Sequence, residues 1–366
     1  MYINRLIAYR LYFTIFVSED ITDQNLQIMP KKKENPERFD LERFERLYPT
    51  EDACVKALEK HLWNGILRSP VDGNTNVIRI KGKPGYYRDL DNRRTFTIKQ
   101  GTVFDGSKLK LKVWFRAIYE FCVSANGISS YELARCCGVT QKTAWFMKQR
   151  MALNVKQCEE MLMDGEVEAD ECYVGGTDYY RKIDAKWHST QGNRDDKATV
   201  FGLLCRDGLL YAEVVKDCRA ETLFDIIKNR MAEGCRFYTD EAPQYVHVSD
   251  HFIHKTVNHS GKVWKAGAAC TNGIENFWKH LQSTIQGTYM SVSYFHLQKY
   301  VDEKAWRFNT RRMGCYSRFS FFLSLLASGN STTYSATIKP GRVRYAAGKW
   351  KGERMRGRMK DLLYAE

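Results

Sequence analysis

The chain has 366 residues, 43% of them apolar and 13% aromatic, which excludes a disordered polymer and allows two or three domains with a substantial core. Lysine and arginine outnumber aspartate and glutamate by 57 to 43, and the resulting net charge of +14 points to a polyanionic partner, most commonly nucleic acid. The 11 cysteines are odd in number, irregularly spaced and free of C-x-x-C pairs, which excludes a secreted disulfide framework and fits a reducing, intracellular setting.

Residues 1–36 read as a poorly ordered leader. The apolar run from Leu11 to Val17 is too short to span a membrane, Met29 is an alternative start, and Pro30 to Pro36 is charged and flexible. No later stretch is apolar enough for a membrane helix, so no membrane partner is expected. Residues 37–66 predict helices, because Phe39, Leu41, Phe44 and Leu47, then Ala53, Val55, Leu58 and Leu62, recur at helical spacing. Residues 67–108 predict a small antiparallel β unit: glycines at 73, 82, 85, 101 and 106 punctuate short runs such as Val77–Ile80 and Thr95–Ile98.

Residues 109–160 return to helix. An amphipathic segment carries Val113, Phe115, Ala117, Ile118, Phe121 and Cys122. Ser129 or Ser130 then caps one short helix, Gly138 sits at a tight turn, and Thr140 caps the next. This is a helix-turn-helix pattern, whose second helix would offer Gln141, Lys142, Trp145 and Lys148 to a DNA groove. A helical hairpin inside a core gives the same pattern.

Residues 161–328 predict an α/β domain: strands over Glu166–Val174, Ala198–Cys205 and Leu209–Val215, a helix from Ala220 to Met231, and a strand from Arg236 to Asp240. Asp207-Gly208 supplies the turn between two of the strands. Between the first two strands lies a polar basic loop with Arg181, Lys182, Lys186, Arg194 and Lys197. Residues 329–366 form a basic tail, either a solvated arm or one that grips DNA.

Three carboxylates stand out. Asp170 lies inside a strand, where aspartate is a poor choice and its burial costly unless a cation offsets it. Asp240 ends another strand, where sheet proteins build sites. Glu275 borders the stripe Ile274, Phe277, Trp278, Leu281 and Ile285 of a helix, from which it can point back at the sheet. Each acid has a plainer reading: Asp170 can pair with an arginine, Asp240 can simply end its strand, and Glu275 can pair with Lys279. The order strand-Asp, strand-end-Asp, helix-Glu is what singles them out. Together they form a hard-oxygen set suited to magnesium or manganese, two ions of which can drive phosphodiester chemistry without a nucleophilic side chain.

The segments Val167–Gly176, Tyr238–Glu241 and Thr271–Trp278 resemble the ISXO-type (Merlin-like) insertion-sequence DDE transposases, as do Gly287–Tyr289, His296–Tyr300 and Asp302–Asn309. The resemblance runs from about residue 40 to about residue 315, and the Asn-x-Ile-Glu-x-Phe-Trp helix is its most specific motif. It implies an RNase H-like catalytic core, a mixed five-stranded sheet with flanking helices, preceded by a degenerate zinc-ribbon-like unit and the helix-turn-helix. It also implies catalytic and metal-holding roles for Asp170, Asp240 and Glu275, with two magnesium ions, and cleavage and transfer of DNA strands at the ends of a mobile element. His259 matches a family motif and either touches DNA or is a structural histidine. Lys279, Arg307, Arg311 and Arg312 join Arg181, Lys182 and the tail as expected phosphate contacts.

The family's four zinc-ligand cysteines are replaced here by Ser69, Asp72, Asp89 and Asn92. Oxygen ligands of this kind do not make a structural zinc site, so a ribbon without zinc, held by hydrophobic contacts, is expected. The expected setting is cytoplasmic, on the nucleoid in a bacterium, as a homodimer or higher assembly on DNA. A non-catalytic regulator derived from a transposase and a structure-selective nuclease of the same fold are the alternatives.

Overall fold

The computed structural model describes residues 38–155, 157, 162–175, 197–206, 208–240, 242–257, 271–290, 292–329, 332, 333 and 337. Arg181, Lys182 and His259, three of the expected DNA contacts, lie outside the described residues. The chain divides into two units, one formed by the segment up to Val155 with Thr310–Thr337, the other by the segment from Lys156 to Asn309. The last helix, placed by sequence with the catalytic domain, therefore belongs to the first unit.

In the first unit, Asp40 and Thr50 cap helices α1 (Leu41–Leu47) and α2 (Glu51–Trp63) by accepting from Arg43 and Ala53 amides. A three-stranded antiparallel sheet follows: β1 (Val77–Arg79), β2 (Tyr86–Asp89) and β3 (Thr95–Thr97). Helix α3 (Leu111–Val123) has no side-chain cap of its own; the Glu51 carboxylate accepts from the Leu111 and Lys112 amides at 2.8 and 2.9 Å. Helices α4 (Ser130–Cys137) and α5 (Gln141–Ala152) are joined through Gly138 at φ 64°, a left-handed conformation that suits glycine. Ser129 and Thr140 cap them. The final helix of the chain, α9 (Cys315–Ala327), joins this unit through its aromatics: Phe319 meets Phe39, Phe44, Tyr48 and Phe115, and Phe322 stacks on Phe121 at 4.8 Å.

The four positions Ser69, Asp72, Asp89 and Asn92 do converge. Asn92 Nδ2 donates to Asp72 Oδ2 and Asp89 Oδ2, both at 2.8 Å, and Ser69 bonds to Asp72. Asn74 extends the network to Asp89 and Asp91, and Asn76 binds Asp91. Hydrophobic contacts are present as expected, with Tyr87 stacked on Phe96 at 5.4 Å. The cross-linking between the two turns, however, comes from an amide–carboxylate network that the sequence pattern does not announce.

The second unit is built on a five-stranded mixed sheet in the order β6-β5-β4-β7-β8, where β4 is Glu166–Val174, β5 Ala198–Cys205, β6 Leu210–Val215, β7 Arg236–Asp240 and β8 Ile253–Val257. The first three strands form an antiparallel meander, and β7 and β8 run parallel to β4. Helix α6 (Ala220–Arg230) makes the crossover from β6 to β7. This arrangement with flanking helices fits an RNase H-like core. Val167, Ala169, Phe201, Leu203 and Phe237 pack with Leu223 and Ile227 of α6 on one face. On the other, Cys172, Val174, Val200 and Leu204 pack with Ile274, Phe277, Trp278 and Leu281 of α7 (Asn272–Thr284) and with Leu297, Val301 and Ala305 of α8 (Tyr294–Asn309). Among the described residues, no helix is long and apolar enough to cross a membrane.

Candidate active site

The period-two alternation of a strand decides which side chains of β4 share a face. Val167 and Ala169 enter the α6 core, so Glu168, Asp170 and Cys172 turn toward α7. Strand β7 pairs with β4 in parallel at Glu166↔Arg236, Val167↔Phe237 and Glu168↔Tyr238. The same count carried two residues further sets Asp170 level with Asp240, on the same face. The ladder between β4 and β7 has stopped by then, although both strands continue. The two aspartates thus stand where adjacent parallel strands part, at the carboxyl end of β7, the place where open α/β sheets form clefts.

Helix α7 brings the third acid. Two backbone amides of its first turn, Gly273 and Ile274, donate to Glu168 Oε2 at 2.9 and 3.1 Å. A carboxylate there also complements the positive end of the helix dipole. One turn on, Trp278 Nε1 donates to Asp170 Oδ2 at 3.1 Å. Glu275 lies three residues before Trp278, on the neighbouring strip of the helix, where Thr271 Oγ1 donates to its Oε1 at 3.2 Å.

Two glycines permit this docking. A Cβ on Gly202, the β5 partner of Asp170, would come 2.7 Å from Cη2 of Trp278. One on Gly273 would come 2.8 Å from Glu168 Oε2 and 2.7 Å from Leu204 Cδ2. At Gly202 an added carbon would displace the Trp278 ring, whereas at Gly273 the ends of the Leu204 and Glu168 side chains would have to give way.

Burial, with the negative charges of Glu171, Asp240 and Glu275 acting in the same direction, pushes the Asp170 carboxyl up from its usual 3.8 to about 7. Asp240 Oδ1 accepts the Ala242 amide at 3.1 Å. Among the described residues no cationic side chain pairs with Asp170 or Asp240. An uncompensated buried carboxylate is costly, and a hard cation is the natural counter-charge for this all-oxygen set. The donor chemistry therefore fits magnesium or manganese. Among the described residues, no group of three or more His, Cys, Asp or Glu side chains stands close enough together to hold a metal ion.

Glu171 points to the opposite face, where Tyr245 donates to it in a short hydrogen bond and Gln244 donates at 3.3 Å; burial raises its pKa. Sequence reasoning missed Glu168, Gly202 and the bond from Trp278 to Asp170. The period-two step from Asp170 back to Glu168 was the one signal that could have flagged Glu168.

The expected DNA contacts divide by exposure. Lys142 and Lys279 are exposed, while Gln141, Trp145, Arg311 and Arg312 are half-buried. Lys148 is only 2% exposed, because α5 is buried all around from Met147 to Ala152. Arg307 is 6% exposed and bonded to Glu303 at 2.9 Å. Neither offers its charge to a groove.

Residues 162–309 match the ISXO2-like transposase domain family. The chain is also 26% identical over 243 residues, 63% of its length and 82% of the relative's, to an uncharacterized protein in transposable element ISH50 of Halobacterium salinarum. No solved structure matches the chain.

Proposed function

Taking residues 162–309 as an ISXO2-like transposase domain, we propose that this chain cleaves DNA phosphodiesters and transfers the freed strands at the ends of an insertion sequence. Asp170, Asp240 and Glu275 would hold divalent ions. Bound there, two magnesium or manganese ions supply activation of the attacking oxygen and stabilisation of the leaving oxygen. The observation that carries the reading is the pair of aspartates without cationic partners at the parting of β4 and β7, with α7 docked over them.

The chain's own residues do the positioning. Glu168 fixes the first turn of α7, and with it Glu275. Trp278 orients one oxygen of Asp170. Lys142 and Lys279, exposed, are suited to backbone phosphates, as are Arg311 and Arg312, while α5 with Gln141 and Trp145 is the candidate for reading the terminal repeat. The setting is the cytoplasm, on chromosomal DNA, as a dimer or larger assembly. The loss of ribbon cysteines would favour a non-catalytic descendant, but the convergent network at those positions answers that loss.

The test replaces Asp170, Asp240 and Glu275 singly by alanine and measures magnesium-dependent cleavage of the element's own ends. Each variant should lose at least about 100-fold, the upper end of what outer-shell partners cost. Undiminished cleavage in all three would end the proposal, and cutting of branched DNA regardless of terminal sequence would point to a nuclease instead.

A further inference from the structure

The three-stranded sheet of the first unit has one packed face and one bare face. Along β2 the alternation is strict: Tyr87 and Asp89 are buried, Tyr86 and Arg88 exposed. The register sets Arg88 between Ile78 of β1 and Thr95 of β3, both exposed.

Residues 72–97 hold the cations Arg79, Lys81, Lys83, Arg88, Arg93 and Arg94 and only the acids Asp72, Asp89 and Asp91. Their partners are divided unusually. Arg79 is taken by Glu59, at 3.0 and 2.8 Å. The three aspartates, which stand close enough to neutralise the other cations, are bound by amides of Asn74, Asn76 and Asn92 instead. Lys81, Lys83, Arg88, Arg93 and Arg94 are all exposed and form no ion pair among the described residues. Self-repulsion among five unpaired cations on so small a unit is unfavourable, and an external polyanion relieves it.

The placement fits a long anion better than a single phosphate. Lys81 and Lys83 occupy the turn from β1 to β2, Arg93 and Arg94 the turn from β2 to β3 at the other end, and Arg88 the bare face between. At about 3.3 Å per residue, the strand alone extends the row by roughly 13 Å, the length of about four phosphates along one DNA strand. The flat ring of Tyr86 beside Arg88 adds contact area.

We propose that the bare face of this ribbon grips the phosphate backbone of duplex DNA through Lys81, Lys83, Arg88, Arg93 and Arg94, without reading base sequence. The inference rests on DNA being the chain's partner, but it assigns that contact to residues outside the metal-holding site and outside α5.

The experiment measures equilibrium binding of the full chain to two unrelated duplexes across a salt series. The combined variant Arg88→Ala, Arg93→Ala, Arg94→Ala should lower the slope of log affinity against log salt by about 2.7, roughly 0.9 for each phosphate that is no longer neutralised, equally on both duplexes. Its thermal melting should not fall below the wild-type value, since none of the three side chains gives up an ion pair and their mutual repulsion is relieved. Lysine at all three positions should restore the slope. Wild-type slope in the alanine variant overturns this inference and leaves the transposase reading standing. Failure of the wild-type chain to bind duplex DNA at all overturns both.

Discussion

Four carboxylates project from one face of the second unit's sheet, and the two ends of that face treat them in opposite ways. Near the start of β4, Arg206 binds Glu166 at 2.6 Å and Glu168 at 3.1 Å, its guanidinium lies 4.2 Å from the centre of the Tyr238 ring, and Arg236 binds Glu166 at 3.2 Å. Two strand positions further on, Asp170 and Asp240 have no cation beside them among the described residues. The paired end is fully compensated within the chain and serves as an anchor for α7. Among the described residues, one pair of acids is neutralised and the next pair is not, which is what the proposed metal site requires.

The largest expected effect comes from breaking the anchored end. Arg206→Ala takes the guanidinium away from Glu168, 3% exposed under the first turn of α7. Removing one partner of a buried pair costs about 3–5 kcal/mol. Chemical denaturation should register a loss near the lower figure, because the Arg206 side chain is 24% exposed. A loss below about 1 kcal/mol would mean that the pair is a surface feature and no anchor.

The converse change removes charge at the bare end. Asp170→Asn should abolish metal-dependent cleavage, a loss of at least about 100-fold or about 2.7 kcal/mol of transition-state stabilisation, while raising the melting temperature of the metal-free protein. The pH dependence follows from the sign of the shift. The Asp170 carboxyl is raised in the folded protein to about 7, against about 3.9 in an unfolded chain. Its stabilising contribution is therefore complete below about pH 4 and is lost as pH rises through 7. Wild type and Asp170→Asn should melt alike near pH 4 and diverge in favour of the variant by pH 8. Equal melting at both pH values would show that Asp170 carries no unmet charge.

Much of this site was readable in the sequence, for local reasons. Aspartate inside a strand run marked Asp170, the strand end marked Asp240, and the helical stripe ending in Ile285 placed Glu275 at its border. Strands β4, β5 and β6 followed from apolar runs and turn residues. What was not readable depended on distant partners. Glu168 gains its role from Arg206 and from Gly273, 38 and 105 residues away. Helix α9 joins the first unit because its Phe322 finds Phe121, which no local pattern announces. Strand β8, Ile253-His-Lys-Thr-Val257, is too polar to signal itself, and it exists because β7 offers it an edge. Lys148 and Arg307 looked like solvated cations because helical spacing says nothing about what surrounds a helix on every side.

An intermediate effect should come from the contact that joins α7 to Asp170. Trp278→Phe removes the donor to Asp170 Oδ2 and also the outer edge of the indole that lies against Gly202, while keeping an aromatic ring on the buried stripe of α7. Cleavage should fall about 10–100-fold, the usual cost of losing an outer partner of a metal ligand, with a smaller loss of stability than Gly202→Ala causes. Gly202→Ala should lose both activity and stability, since the added carbon at 2.7 Å displaces the ring itself. Equal damage to stability from both variants would reduce the bond to packing.

The smallest effect separates Glu166 from Glu168 at the anchored end. Glu166 is 31% exposed on its side chain, and its hydrogen bond from Arg206 lowers its pKa, so its contribution is present above the ordinary glutamate range and is lost as pH falls through the lowered value. A half-open ion pair of this kind is worth about 1 kcal/mol or less. Glu166→Gln should therefore cost under about 1 kcal/mol at pH 7 and progressively less as pH falls through the lowered value, and it should leave cleavage intact, because the first-turn amides of α7 bond to Glu168 and not to Glu166. Glu168→Gln, by contrast, keeps an oxygen for the Gly273 and Ile274 amides but gives up the charge that complements the helix start and Arg206. If the two glutamine variants behave alike in cleavage, the anchoring of α7 is not what sets Glu275 in place.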